Sequence, residues 1–217
     1  MDTAYSTIAQ DADIIYQSPP WPLTALILCG GKSTRMGRSK AFLPYRGTVM
    51  INHIIDVVRQ LFAEAILVTN EPDLFDGLAI DIVKDILPYR GPLGGILSGL
   101  LIAGNYHSFV FACDMPFISR EVIEAMVKQH KGSDLLVLKH DQGIEPLIGI
   151  YSKKCIKALE ESLFVGEMNL HDFVSGLNAQ TFSYARETNG SAKSSLPPYF
   201  NIDTPQDYTL AITSADS

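Results

Sequence analysis

The segment that decides the fold is Leu23–Lys40, which reads LTALILCGGKSTRMGRSK. It opens with a continuous apolar run, Leu23–Cys29, of the kind found in strands that are buried on both faces of a parallel sheet. Two consecutive glycines, Gly30 and Gly31, end this run abruptly. The segment therefore predicts a buried parallel strand that leads directly into a glycine-rich loop.

The rest of the chain alternates short apolar runs with helical patterns. Apolar residues at helical spacing fill residues 48–62, where Thr48 is available as the N-cap. Other strand-like runs are AILVTN, IDIVKD, SFVFACD, DLLVLK and EPLIGIY, and other helical segments are GGILSGLLIAG, EVIEAMVKQH and SKKCIKALEES. We expect Ser152 to open the last of these helices, and Pro205 and Asp207 to begin a C-terminal helix with a capping box. Strands that alternate with helices predict an α/β fold with a mainly parallel sheet.

The length and composition of the chain are those of one globular domain. The chain has 217 residues, of which 47% are hydrophobic, so it can bury a substantial core. Residues 1–22 lack the basic and apolar regions of a signal peptide and end in a proline-rich stretch. We interpret them as a loosely ordered extension that precedes a single domain at residues 23–217.

Charge and cysteine content exclude several classes of function. The net charge of −7 gives no general attraction to nucleic acid or to an anionic membrane, and no apolar run approaches the roughly 20 residues that span a bilayer. We therefore expect neither nucleic acid nor membrane as a partner. The cysteines, Cys29, Cys113 and Cys155, have neither zinc-site spacing nor an even number for disulfide pairing, so a reducing cytoplasmic location fits them best.

The glycine-rich loop has the features of a phosphate-binding site. Without a Cβ atom, Gly30 and Gly31 let backbone N–H groups approach phosphate oxygens closely. The same segment also concentrates cationic side chains in an acidic protein: Lys32, Arg35, Arg38 and Lys40. A P-loop is excluded because Leu26 stands where its first glycine is required, and the spacing of a dinucleotide-binding motif is absent as well. An ordinary strand-to-helix loop with solvated cations stays open as the alternative.

A longer motif carries a family resemblance. LCGGKSTRMGRSK resembles the signature L-x-G-G-x-S-x-R-M-G-x-x-K of the MobA-like nucleotidyltransferases, in particular of molybdenum cofactor guanylyltransferases. The resemblance continues, in the family's order, through DILPYRGPLGGI, FACDMPFIS, EPLIGIY and NIDTPQDY. It implies a three-layer α/β/α Rossmann-like nucleotidyltransferase fold. It also implies transfer of GMP from GTP to molybdopterin, with pyrophosphate as the second product.

Asp114 is the candidate metal ligand. It follows an apolar strand, so its side chain should emerge at the carboxyl edge of the sheet, where open α/β folds bind ligands. A carboxylate beside a triphosphate suggests Mg²⁺, which is commonly held by one or two carboxylates together with phosphate oxygens. Asp203 is either a second metal ligand or the N-cap of the helix near Thr204, and the sequence leaves both readings open.

The resemblance assigns the remaining site roles. It implies that Arg35, Lys40 and Asp114 are catalytic, the two cations by stabilising negative charge on the phosphates. The nucleotide-binding residues that it implies are Leu28, Cys29, Gly30, Gly31, Lys40, Asn70, Asp85 and Asp114. It further suggests an acceptor contact within Asp141–Glu145. His53 and His171 lack metal-ligand spacing, and we interpret both as structural.

Alternative functions follow from the same residues. A related nucleotidyltransferase would use CTP, or would charge a sugar phosphate or another small acceptor. A regulatory module would bind the nucleotide without turnover, although the presence of Lys40 and Asp114 argues against that reading. The expected partners are GTP and molybdopterin, with other proteins of the cofactor pathway and molybdoenzymes as further candidates.

Overall fold

Strands and helices alternate along the described chain, which comprises residues 18–30, 39–166, 169–184 and 196–215 of the computed structural model. The strands are β1 (Trp21–Cys29), β2 (Pro44–Tyr45), β3 (Thr48–Val49), β4 (Phe62–Thr69), β5 (Asp81–Lys84), β6 (His107–Ala112), β7 (Leu135–His140), β8 (Gly143–Ser152) and β9 (Gln180–Ser183). The α-helices are α1 (Met50–Arg59), α2 (Gly91–Ile102), α3 (Arg120–Gln129), α4 (Cys155–Phe164), α5 (Leu170–Ser175) and α6 (Pro205–Ala215). Short 3-10 helices lie at Lys40–Phe42 and Pro72–Phe75.

The main sheet of the described chain has the strand order β5-β4-β1-β6-β8-β7-β9. Strand β1 pairs in parallel with β4 on one side and with β6 on the other. Strand β8 pairs antiparallel with β6 and with β7, whereas β7 and β9 are parallel. The mainly parallel α/β sheet is thus confirmed, and β1 lies near its centre as its apolar run predicts.

Both faces of the sheet are covered by helices, because the side chains of β1 alternate between two apolar clusters. Ala25 and Ile27 face a cluster that includes residues of α1 and α3. Leu26 and Leu28 face a second cluster, which includes residues of α2, α4 and α5. The result is the three-layer α/β/α arrangement that the family resemblance implies.

Helix α2 approaches β1 closely at Gly99. A Cβ atom at this position would lie 2.7 Å from Cδ1 of Leu26, which is itself completely buried. Real Cβ atoms essentially never come so close to a neighbour, so glycine is required for the observed distance between helix and strand. This close contact brings the N-terminal part of α2 next to the carboxyl end of β1.

Helix α6 is anchored by a third apolar cluster. Ile202 and Ala211 pack there with Leu43 and Met50 from the region around β2 and β3. The hydroxyl of Tyr208 also donates a hydrogen bond of 2.6 Å to the carbonyl of Pro44. These contacts fix the segment that precedes α6 against the same end of the sheet.

Two predicted helix starts are wrong because tertiary pairing takes the residues concerned into strands. Thr48 does not cap α1; it lies in β3, which pairs antiparallel with β2, and Val49 is the N-cap residue. Ser152 is the last residue of β8, and α4 begins only at Cys155. The predicted capping box at α6 is confirmed, since Thr204 N–H donates to Asp207 and Asp207 N–H donates to Thr204 Oγ1.

Strand β1 begins at Trp21, two residues before the domain start that the sequence suggests at residue 23. Trp21 and Pro22 belong to the strand, and the buried Trp21 ring packs edge-on against Phe62 at a centroid distance of 5.9 Å. Residues 1–17 and most of the Ser-rich loop at residues 187–198 lie outside the described residues. Among the helices that the structure describes, none is both long enough and apolar enough to cross a membrane.

Candidate active site

The carboxyl ends of the parallel strands β1, β4, β5 and β6 meet around one cavity of about 480 Å³. Predicted site residues from all four strand ends line it: Leu28, Gly30, Asn70, Asp85 and Asp114. This is the edge at which open α/β sheets bind their ligands. The remaining wall comes largely from the N-terminal part of α2, through Gly91, Pro92 and Gly95.

Gly30 and Asn70 are close neighbours in the lining of the cavity. A Cβ atom on Gly30 would lie 3.7 Å from Nδ2 of Asn70, which shows how close the two residues are. The Asn70 side chain is oriented by Tyr89, whose backbone N–H donates a hydrogen bond of 3.2 Å to Oδ1. Asn70 therefore presents its amide NH₂ group on the side of Gly30.

Asp85 is a buried carboxylate that is held by a small hydrogen-bond network. Its Oδ1 atom accepts a hydrogen bond of 2.7 Å from the Ser98 hydroxyl and one of 3.0 Å from the Leu87 N–H. Its own backbone N–H donates to the carbonyl of Thr69 at the end of β4. Asp85 is thus fixed at the cavity wall by α2 and by its own loop.

Lys40 joins two carboxylates beside the cavity. Its Nζ atom lies 2.6 Å from Oδ1 of Asp203 and 3.3 Å from Oδ2 of Asp114. The Asp114 side chain is 22% exposed and that of Asp203 is 53% exposed, so the cluster opens to solvent on the Asp203 side. The structure therefore brings together three residues for which the sequence predicts a catalytic or metal-binding role.

Asp203 does not supply the capping box of helix α6. Ile202 N–H donates to the carbonyl of Asp114, which ties this segment to the end of β6. Asn201 Nδ2 donates to Oδ2 of Asp203, while Oδ1 faces Lys40. The cap of α6 is instead supplied by the reciprocal hydrogen bonds between Thr204 and Asp207. Asp203 thus directs its carboxylate toward Lys40 and away from the helix.

Burial disfavours the charged form of both Lys40 and Asp114, but it determines the direction of the pKa shift only for Asp114. Burial opposes the charge of Lys40, but the hydrogen bond to Asp203 and the nearby carboxylates outweigh it and raise the pKa of Lys40. For Asp114, burial is the largest effect and raises the pKa of the carboxyl group even though Lys40 favours its charged form. Asp114 is therefore a carboxylate that one lysine does not fully compensate.

The donor set fits a hard divalent cation. Asp114 and Asp203 offer carboxylate oxygens, which are the ligands that Mg²⁺ and Mn²⁺ prefer, and both oxygens lie within reach of the same lysine nitrogen. Across the described ranges, no cluster of three or more His, Cys, Asp or Glu forms a complete protein cage. One or two carboxylates suffice for Mg²⁺ when phosphate oxygens and water supply the other positions.

Several predicted site residues do not line the cavity or lie outside the described residues. The side chain of Cys29 is buried on the other face of β1, next to Cys113, so any contact with a nucleotide would come from its backbone. Gly31 and Arg35 lie outside the described residues, as do Lys32 and Arg38.

Comparison with known proteins identifies the family to which the chain belongs. Residues 25–180 match the profile of the MobA-like NTP transferase domain. The chain belongs to this family. The match spans β1 to the start of β9 and includes Lys40, Asp85 and Asp114, whereas Asp203 lies beyond it.

The curated relatives of this MobA-like protein described below share one name. A probable molybdenum cofactor guanylyltransferase from Pelotomaculum thermopropionicum is 36% identical over 195 residues, which cover 89% of this chain and 94% of the relative. A molybdenum cofactor guanylyltransferase from Desulfosudis oleivorans is 32% identical, with 87% of this chain and 94% of the relative covered.

Solved structures show the same fold. The molybdopterin-guanine dinucleotide biosynthesis protein A from Archaeoglobus fulgidus superposes with a TM-score of 0.74 at 24% identity, covering 88% of this chain and 97% of its own. A Mycobacterium tuberculosis protein crystallised in complex with manganese superposes with a TM-score of 0.62 at 18% identity, covering 88% and 98%.

Sequence reasoning missed some residues of the MobA-like site. Ser98 is one of them, although a serine within the apolar stretch GGILSGLL is itself a signal that a buried hydroxyl has a partner. Leu147 of β8, which lines the cavity, gives no comparable local signal because its position depends on the antiparallel pairing of β8 with β6.

Proposed function

We propose that this chain transfers GMP from GTP to molybdopterin and so forms the guanine dinucleotide form of the cofactor, with release of pyrophosphate. The proposal combines the names of the curated relatives with one structural observation. Lys40, Asp114 and Asp203 form a single ion-pair cluster next to the cavity that Gly30, Asn70 and Asp85 line. With a divalent cation bound to its two carboxylates, this cluster is net positive and suits a phosphate group whose charge changes during the reaction.

The proposed reaction needs no covalent enzyme intermediate. A terminal phosphate oxygen of molybdopterin attacks the α-phosphorus of GTP, and the bond between this phosphorus and the bridging oxygen breaks as pyrophosphate leaves. The attacking phosphate is already ionised at neutral pH, so no general base is required. The protein then contributes alignment and charge neutralisation.

Each residue of the cluster has a distinct proposed role. Lys40 is a permanent cation, because the surrounding carboxylates raise its pKa, and it would stabilise negative charge on the phosphates. Gly30 leaves room for phosphate beside the strand end, and Gly31 and Arg35 would extend this site by their place in the motif. Asn70 and Asp85 would bind the nucleoside, because both side chains line the cavity.

Asp114 and Asp203 would hold a divalent cation, which we propose to be Mg²⁺. When bound, the cation would polarise phosphate oxygens and neutralise the charge of the leaving pyrophosphate. Asp114 would bind from the end of β6, and Asp203 from the segment that Ile202 ties to it.

The acceptor is proposed to bind on the β8 side of the cavity. Glu145 lies two residues before the cavity-lining Leu147, and its Oε1 atom accepts a hydrogen bond from the Leu147 N–H. Asp141 is tied to Tyr199, whose hydroxyl donates to it at 3.3 Å. We place the reaction in the cytoplasm, where the free cysteines stay reduced, and expect cofactor-pathway proteins or molybdoenzymes to receive the product.

The experiment that tests this function is a binding titration with GTP, CTP, ATP and UTP in Mg²⁺, followed by detection of pyrophosphate with molybdopterin present. We expect preference for GTP, with binding weakened by Lys40→Ala and by Asp114→Ala. Lys157→Ala is the matched control, since this lysine is 85% exposed on α4 and pairs only with Glu161 along its own helix among the described residues.

The titration separates the alternatives. Preference for CTP would place the chain with cytidylyltransferases, and GTP binding without molybdopterin-dependent pyrophosphate release would point to another acceptor or to a regulatory role. Absence of binding to any nucleotide would refute the proposed function.

A further inference from the structure

The hydroxyl group of Ser98 is a buried polar group in the middle of an apolar helix. Ser98 is completely buried, and its neighbours in α2 are almost all aliphatic or glycine. Burying a hydroxyl group is unfavourable unless it is hydrogen-bonded. Its presence at this position therefore has to be explained by its partners.

Those partners lie in the loop that carries Asp85. Ser98 Oγ accepts a hydrogen bond of 3.0 Å from the Ile86 N–H and lies 2.7 Å from Oδ1 of Asp85. The Gly94 carbonyl, at 2.8 Å, is a second possible acceptor for the single hydroxyl proton. We assign the proton to Asp85, because a carboxylate is the stronger acceptor.

The two carboxylate oxygens of Asp85 differ in the hydrogen bonds that they accept. Oδ1 accepts from the Ser98 hydroxyl and from the Leu87 N–H. Oδ2 lies on the side of Gly94, where an added Cβ atom would be 3.5 Å away, and it accepts no hydrogen bond from the part of the chain that the structure describes. Because Asp85 lines the cavity, Oδ2 is the acceptor that it can offer to a ligand.

We propose that Ser98 is a positioning residue for base recognition: by holding Oδ1 of Asp85, it keeps Oδ2 turned toward the cavity to accept hydrogen bonds from the base. The inference rests on the proposed function. A fixed carboxylate oxygen suits guanine, which carries N1–H and 2-amino donors on one edge. It does not suit adenine or cytosine at this position, because their ring nitrogens N1 and N3 are acceptors. Ser98 itself touches no ligand in this arrangement.

The test compares affinities for GTP, inosine triphosphate and ATP in the wild type, Ser98→Ala and Asp85→Asn. Inosine triphosphate lacks only the 2-amino group of GTP. We expect Ser98→Ala to weaken GTP binding about tenfold, the usual cost of a poorly placed charged acceptor, and to weaken inosine triphosphate binding less. The GTP to inosine triphosphate affinity ratio should fall in Ser98→Ala and in Asp85→Asn.

Control variants separate positioning from stability. Ser108→Ala removes another fully buried hydroxyl, in β6, and should leave the ratio unchanged. Ser98→Thr keeps the hydroxyl group and should keep the wild-type ratio. If Ser98→Ala folds poorly, Ser98→Cys replaces it, because the cysteine side chain is close to serine in size and its thiol is only a weak donor. The affinity ratio is insensitive to the folded fraction, because both nucleotides report on the same folded protein.

Each outcome has a distinct meaning. An unchanged ratio in Ser98→Ala with a lowered ratio in Asp85→Asn would overturn the positioning role and leave the proposed function intact. An unchanged ratio in Asp85→Asn would show that Asp85 does not recognise the base, which overturns the inference as well. A wild type that binds no GTP would refute both the inference and the proposed function.

Discussion

The ammonium group of Lys40 lies 2.6 Å from the Oδ1 atom of Asp203, although 163 positions separate the two residues. The contact connects the first loop region of the chain with the segment that precedes the last helix, and Asp114 completes it from the end of β6. Three segments that are distant in sequence therefore contribute to one cluster at the edge of the cavity.

Substitution of Asp203 should change the Mg²⁺ requirement, whereas substitution of its neighbour Thr204 should change only the stability of the fold. We expect Asp203→Ala to raise the Mg²⁺ concentration for half-maximal activity about tenfold, because a carboxylate ligand is lost. Thr204→Ala removes a hydroxyl that caps α6, so it should cost about 1 kcal/mol of folding free energy without altering the Mg²⁺ requirement. Activity as a function of Mg²⁺ concentration and thermal unfolding measure the two effects. An unchanged Mg²⁺ requirement in Asp203→Ala would contradict a metal-binding role.

Cys113 should report on occupancy of the cavity. It lines the cavity, whereas Cys155 is buried, and burial raises the pKa of the Cys155 thiol to about 11. Burial also raises the pKa of Cys29 well above its usual value. We therefore expect iodoacetamide at pH 8 to modify Cys113 first, and GTP with Mg²⁺ to protect it, as measured by peptide mass spectrometry. Equal modification of Cys113 with and without a saturating nucleotide would place the nucleotide elsewhere.

His107 should make the fold sensitive to acid. Burial, together with the neighbouring His130, lowers the pKa of His107 to about 4, from 6.5 in the unfolded chain. The folded state thus favours the neutral ring, so stability is complete above pH 6.5 and falls as the pH drops toward 4, by about 3 kcal/mol in total.

The acid sensitivity can be measured by urea unfolding at several pH values between 7 and 4. His107→Phe should remove much of the dependence, since the aromatic ring can keep the edge-on contact with His130 without a titrating group. The exposed His171 is the control, and its replacement by asparagine should leave the pH profile as it is. A wild-type profile that is flat between pH 6.5 and 4 would contradict the assignment.

Gly99 and Gly95 of α2 should differ when each is replaced by alanine. In Gly99→Ala the new methyl group would lie 2.7 Å from a buried Leu26 atom, and overpacking of this kind typically costs about 1–3 kcal/mol. In Gly95→Ala the methyl would lie 3.4 Å from Leu28, an ordinary contact, so the higher helix propensity of alanine should make the change neutral or stabilising by up to about 1 kcal/mol. Urea unfolding of both variants tests this order, and a Gly99→Ala protein as stable as Gly95→Ala would show that α2 can move away from β1.

Local signals made much of the fold predictable. The apolar run before Gly30 indicated a buried central strand, and β1 occupies that position with its side chains divided between two cores. The run before Asp114 indicated a strand end at the ligand-binding edge of the sheet, where Asp114 lies. Both signals are local, because a strand that is buried on both faces consists of consecutive apolar residues.

Features that depend on distant pairing were less accessible from the sequence. Thr48 has the chemistry of a cap but is held in a strand by its pairing with Tyr45. The sequence allows the carboxylate of Asp203 to cap the adjacent helix equally well. Its position beside Lys40 depends on the hydrogen bond from Ile202 to Asp114 and on the packing of Ile202 in the third apolar cluster. Ser98 could not be connected with Asp85 until the packing of α2 against the loop was known. The predicted roles of Gly31 and Arg35 stay predictions.

The most direct test of the central claim is a single-turnover reaction of the purified protein with molybdopterin, Mg²⁺ and equal concentrations of GTP and CTP, with the products identified by mass spectrometry. The account predicts molybdopterin guanine dinucleotide and an equal amount of pyrophosphate in the wild type, and neither product in Asp114→Ala. A cytidine dinucleotide as the main product, or guanine dinucleotide formed undiminished by Asp114→Ala, would contradict it.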